Sequence, residues 1–121
     1  MMSCNTTQQT TSDKNKLPEN AVRIANDTLE YEIIIIDIGF DTYLASIAKP
    51  ISFHSLSFLE SKNRYYVTIW NQRARDLSRY NPNIYENIIE YDSSENYGLE
   101  VNYKLYNYFK FVEYKYHQKF Y

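Results

Sequence analysis

The chain has 121 residues, a formal net charge of −2, 14 Tyr, 2 Gly, 2 His and a single Cys, which is one domain's worth of sequence. Two glycines, Gly39 and Gly98, cannot build a GxGxxG turn, a Walker A loop or a GxSxG elbow; one Cys excludes an internal disulfide and, with two distant His, a Cys4 or Cys2His2 zinc site. The near-neutral charge gives no whole-chain attraction to nucleic acid or anionic membrane, and the longest purely aliphatic run, Ile33 to Ile36, is far short of the ~20 residues of a spanning helix.

Residues 1–20 are dominated by Thr, Gln, Asn and Ser, with almost no apolar side chains. Such a segment buries too little surface to offset its ordering entropy and is expected to be a disordered polar tether. Its roughly 16 residues after Cys4 would reach about 20–24 Å as a coil. Residues 21–121 are expected to form a single globular domain. Val22 and Ile24 alternate with Arg23 and Ala25, Asn26-Asp27 reads as a turn, and Leu29–Asp37 reads as a strand. The second half of that strand, Ile33–Ile36, is apolar on both faces and should be covered on both; Gly39 supplies its sharp exit.

Asp41 is placed to cap a short helix, Thr42–Ala48, stopped by Pro50. Ser57-Phe58-Leu59-Glu60 fits a capping box and opens a helix over about 57–78. Within it, Tyr65–Trp70 has strand propensity, but Leu59, Tyr66, Ile69, Trp70, Arg73 and Leu77 keep mostly helical spacing, and period and length favour helix. Asn81-Pro82 predicts a further short helix through Ile84, Tyr85, Ile88 and Ile89 to Tyr91. Asp92–Asn96 is a loop. Val101, Leu105, Tyr108, Val112 and Tyr116 carry a last helix over about 97–120. The expected fold is α+β: a small N-terminal hairpin followed by about four helices.

Charge is blocked along the chain. Residues 24–48 and 80–103 carry five acids each and no bases, whereas five bases meet Asp76 over 62–79 and four Lys meet Glu113 over 104–121. Blocks of alternating sign predict elements that attract one another within one fold. Arg64, Arg73, Arg75 and Arg79 are otherwise the candidate binding patch, with Trp70 beside them.

Candidate chemistry has plain competing explanations. Asp92–Gly98 resembles a calcium loop, but the sixth and twelfth positions are Tyr97 and Tyr103 where Gly and Glu are needed. His54 among Ser52, Ser55 and Ser57 lacks the orienting acid of a triad; His117 reads as a helix-end cation. Glu30 and Glu32 share one strand face, as the wet side of a hairpin does. Ten of the 14 Tyr lie between Tyr80 and Tyr121. They are read as a core wall with hydroxyls at its edge, against an exposed platform in which Tyr97, Tyr103 and Tyr106 would contact a ligand. Cys4 follows Ser3 and precedes a polar stretch, as a lipidated Cys does; the apolar leader such a Cys follows is missing from the sequence, and a misassigned start would account for that.

Several stretches resemble an uncharacterised family of small Bacteroidota lipoproteins: Leu29–Asp37, Gly39-Phe40 with Tyr43-Leu44-Ala45, Asn63–Thr68 with Trp70-Asn71, Arg79–Asn83, Tyr85, Tyr91-Asp92, and Asn96–Tyr103 with Leu105–Phe109. The resemblance covers about 21–121. It implies a lipid-anchored envelope location through Cys4 and brings no catalytic residues. The expectation is a non-enzymatic envelope domain without cofactor, metal, small-molecule substrate or nucleic acid, meeting the membrane through its anchor and an envelope protein as partner. The alternative is a cytosolic interaction module using the Arg-rich helix.

Overall fold

A computed structural model describes residues 22–27 and 30–121; Cys4 and the segment read as a tether lie outside the described residues. Strands β1 (Val22–Asp27) and β2 (Glu30–Ile35) form an antiparallel hairpin, followed by helices α1 (Phe40–Ser46), α2 (Leu56–Ala74) and α3 (Leu99–Tyr116). The architecture is α+β with three helices. In the hairpin register Val22 pairs with Ile35, Ile24 with Ile33 and Asn26 with Tyr31. Asn26-Asp27 are therefore strand residues, and the connection falls at 28–29, outside the described residues. Alternation puts Val22, Ile24, Tyr31, Ile33 and Ile35 toward the core. The opposite face is open at Ile36, so the expected cover on both faces fails there.

A two-stranded ribbon is marginal alone, and here β2 packs on α3. Asp37 fixes the junction. Its carboxylate is fully buried and accepts from Tyr108 Oη at 3.1 Å and Tyr116 Oη at 3.1 Å, with Lys115 Nζ at 3.4 Å. The chain then turns at Gly39, whose left-handed φ of 95° opens α1 without a side-chain cap. Asp41 lies in the first turn, so the expected Asp41 cap and Thr42 start move two residues earlier.

Ser55 caps α2: its Oγ accepts from Phe58 N at 3.1 Å. The expected box on Ser57 is therefore displaced by two residues. Strand-prone Tyr65–Trp70 is helical because Leu59, Asn63, Tyr66, Val67 and Trp70 then fall on one buried face. α2 ends at Ala74, earlier than expected, because Asp76 O takes over the amides of Arg79 and Tyr80 as a turn.

The short helix expected after Asn81-Pro82, through Ile84 to Tyr91, does not form. Asn81 closes a single turn, accepting from Ile84 N and Tyr85 N on its carbonyl and from Asn83 N on its side chain. The chain then runs irregularly, because α2 satisfies its backbone from the side. Asn71 Nδ2 donates to Ile89 O at 2.9 Å while Ile89 N donates to Asn71 Oδ1 at 2.8 Å, and Trp70 Nε1 donates to Asn87 O at 2.8 Å. With those groups paired, burying Ile84, Tyr85 and Ile89 wins over continuing a helix.

The core centres on Trp70, which is 0% exposed, with Tyr85, Tyr108, Phe109 and Phe120 around it. A buried polar staple joins α2 to α3: Asn63 Nδ2 donates to Asn102 Oδ1 at 3.0 Å, and Tyr91 Oη donates to the same oxygen at 2.6 Å. Among the described residues, no helix is long and apolar enough to cross a membrane.

Candidate functional site

Along the edge of α2 that flanks its buried Asn63–Trp70 face, Lys62, Tyr65, Ile69 and Arg73 are spaced so that they follow one stripe. Between this stripe and the C-terminal half of α3 lies a depression of about 940 Å³, lined by Lys62, Tyr65, Tyr66, Lys110, Glu113, Lys119, Phe120 and Tyr121. A second depression of about 480 Å³ continues along α2 to Arg73, Asp76, Arg79 and Tyr80. Tyr65 and Tyr121 line both, so the two join as one trough with an aromatic shoulder at its middle. Tyr65 is 49% exposed and Tyr121 81%.

The far wall is made by the chain after α3. His117 adopts the left-handed conformation, φ 57°, and reverses the chain. Phe120, 2% exposed, then inserts among Tyr66, Trp70, Tyr85 and Phe109. Its amide donates to Glu113 Oε2 at 3.3 Å, and Arg73 Nη2 donates to Lys119 O at 2.6 Å. Anchoring Phe120 inward leaves the flanking Lys119 and Tyr121 directed over the trough.

Five cationic side chains meet two acidic side chains here, and both acidic side chains are engaged. Glu113 holds Lys110 at 3.1 Å, and Asp76 pairs with Arg79 at 3.7 Å and accepts from Ser78 Oγ. Burial works to lower the Lys110 pKa, but the hydrogen bond to Glu113 and the Tyr66 field outweigh it and the net shift is upward, so Lys110 stays charged. Lys62 and Lys119 have no ion-pair partner among the described residues. Each cation also sits by a ring: Lys62 Nζ is 5.8 Å from the Phe58 centroid, Lys110 Nζ 5.8 Å from Tyr66, Arg79 5.9 Å from Tyr80 and Lys119 Nζ 5.9 Å from Tyr121.

The sequence candidates scatter. Arg73 and Arg79 line the trough, but Arg73 is turned inward, donating to Tyr85 Oη at 2.8 Å and lying over Tyr80, Tyr85 and Phe120. Arg64 donates to Ser61 Oγ and Arg75 to Asn71 O, both outside the trough. Trp70 is core. Tyr97 stacks on Tyr91 at 5.0 Å beside Tyr31 and accepts from Asp92 N, in a separate hollow with Glu90 and Asp92. Tyr103 and Tyr106 line a cleft of about 220 Å³ with Tyr43, Lys49 and His54; Tyr103 Oη donates to Lys49 O at 2.5 Å. Lys110 borders both cleft and trough.

His54 is stacked on Phe58 at 4.2 Å with Tyr106 edge-on at 5.3 Å, and Ser55 is committed as a cap, so the His–Ser cluster packs rather than poises a nucleophile. Asp92 Oδ1 closes a turn by accepting from Ser94 N and Oγ, bonds that hold its carboxyl below the usual range. Among the described residues, no group of three or more His, Cys, Asp or Glu is placed to share a metal ion. Lys62, Tyr65, Lys119 and Tyr121 escaped sequence reasoning. The i,i+3 pair Lys62/Tyr65, off the apolar stripe of α2, was a signal that could have found half of them.

The described chain is a hairpin-and-three-helix domain with an open trough along α2. Along residues 1–121 the chain matches a family of unknown function (DUF6146), and it belongs to that family. No curated protein and no solved structure matches it.

Proposed function

We propose that the protein is a non-enzymatic binding domain of the bacterial envelope, of Bacteroidota lipoprotein type, held to the membrane by acyl groups on Cys4. The observation that carries the binding reading is the trough: open, shallow, lined by exposed rings and cations, with its two acidic side chains engaged in ion pairs. The anchor reading rests on sequence, on Cys4 behind Ser3 and ahead of a polar stretch that separates it from β1, and on the lipoprotein resemblance. Two acyl chains or more give stable anchoring where one does not. Fractionation and mass spectrometry of the protein from its native host test this. The expected result is a membrane-associated chain whose first residue is an acylated Cys4. A free Cys4 thiol on a protein recovered in the soluble fraction overturns the anchor.

A further inference from the structure

We propose that the trough is the docking groove for an acidic, extended polypeptide segment of a partner protein. The inference deepens the binding reading above and rests on it. Charge complementarity sets the sign of the partner. Lys62 and Lys119 hold no ion pair among the described residues, Lys110 stays cationic, and the trough's acids are neutralised by Lys110 and Arg79. An incoming carboxylate therefore meets uncompensated positive charge in the larger depression, where Lys62 and Lys119 lie beside the Tyr65–Tyr121 shoulder.

Geometry sets the shape of the partner. From Lys62 to Arg73 the stripe on α2 spans about 16 Å at 1.5 Å per residue. A strand-like segment rises ~3.3 Å per residue, so about five residues lie along it. Alternating side chains then suit the lining: acidic positions reach Lys62 and Lys119, and apolar or aromatic positions lie against Tyr65 and Tyr121, which give large contact area at little entropy cost. A nucleic acid fits less well. Nucleic-acid affinity comes chiefly from Lys and Arg free to neutralise several backbone phosphates, whereas Arg73, Arg79 and Lys110 are already engaged within the fold and the whole chain carries −2.

Fluorescence anisotropy of the full chain with a labelled decapeptide in which Glu alternates with Phe and Ser tests the proposal. Saturable binding with Kd of about 10–100 μM is expected, weakening with added salt. Lys62→Glu and Lys119→Glu should each weaken it about 3–10-fold, and Tyr65→Ala by a similar factor, with melting unchanged because all three positions are at the surface. Lys104→Glu, outside the trough and paired with Glu100, should leave binding unchanged. The proposal is overturned by no saturation up to about 1 mM, by equal binding of the same peptide with Lys for Glu, by indifference to both charge reversals, or by tighter binding of oligo-dT or polygalacturonate. Acylation of Cys4 is read separately, so loss of the peptide result leaves the anchor standing and loss of the anchor leaves the groove standing.

Discussion

Arg73 joins three parts of the molecule with one planar head group: it leaves α2, donates to Tyr85 Oη in the irregular segment and to Lys119 O in the terminal turn, and covers the Phe120 ring. Hydrogen bonds from a charged donor contribute about 1.5–3 kcal/mol each, and two of them diverge from one fork that a Lys cannot reproduce. Arg73→Met is therefore expected to lower stability by about 2–3 kcal/mol, with Arg73→Lys between it and the wild type, read from urea unfolding midpoints. Equal midpoints for the three proteins would remove the staple. Sequence identifies the Arg but not its direction, because a helix position near a C-terminus can face solvent or fold back equally well by spacing. The tyrosines follow the same rule. Their need for hydroxyl partners is readable in advance, and the pattern is largely a core wall: between Tyr80 and Tyr121, Tyr85 and Tyr108 are buried, and Tyr114 and Tyr121 are exposed. The partners themselves, Gln118 for Tyr85, Asn102 for Tyr91 and Asp37 for Tyr108 and Tyr116, come from distant segments.

Helix ends show where local chemistry decides and where it yields. Both Ser55 and Ser57 are credible caps for α2 on residue type, and the extended backbone of Ser55 (ψ 158°) with its bond to Phe58 N settles the choice. Ser55→Ala should cost about 1 kcal/mol of stability, whereas Ser57→Ala should stay within about 0.5 kcal/mol. A larger loss at Ser57 would return the cap to the position the capping-box pattern picks out. α2 and α3 are recoverable from sequence because their periodic apolar stripes run for 19 and 18 residues. The segment after Pro82 is not, since its short helical pattern competes with side-chain partners on α2. Asn71 presents an acceptor and a donor to Ile89 as a neighbouring strand would, and no local pattern reveals that. The trough inherits the same division: its α2 wall is a helical stripe, but Lys119 and Tyr121 depend on the reversal at His117.

Over the whole molecule, alternating charge blocks predict long-range attraction, yet among the described residues three of the four ion pairs are local: Arg79–Asp76 and Lys110–Glu113 lie within one block, Lys104–Glu100 straddles the boundary of two adjoining blocks, and only Lys115–Asp37 joins blocks far apart in sequence. The described chain is held instead by rings and their hydroxyls, and this gives its stability a particular pH dependence. Burial is the largest cause of raised phenol pKa at Tyr43, Tyr85, Tyr97, Tyr106, Tyr108 and Tyr116, and it pushes Tyr91 up to about 12, with the nearby Glu60 carboxylate adding to it. The neutral phenol is thus favoured by folding. Below about pH 10 both folded and unfolded states hold the proton and the contribution is whole. Above it the unfolded chain releases protons that the folded chain retains, so stability falls with rising pH until the folded groups titrate in turn. Urea midpoints should be insensitive to phenol ionisation between about pH 7 and 9 and drop through about pH 10–12. Tyrosinate absorbance should lag behind that of free tyrosine and then rise together with loss of the near-ultraviolet circular dichroism, since the last phenols ionise only when the wall opens. A titration centred near pH 10 with the aromatic signal intact would show the tyrosines to be solvated, and would return them to the exposed platform that sequence alone left open.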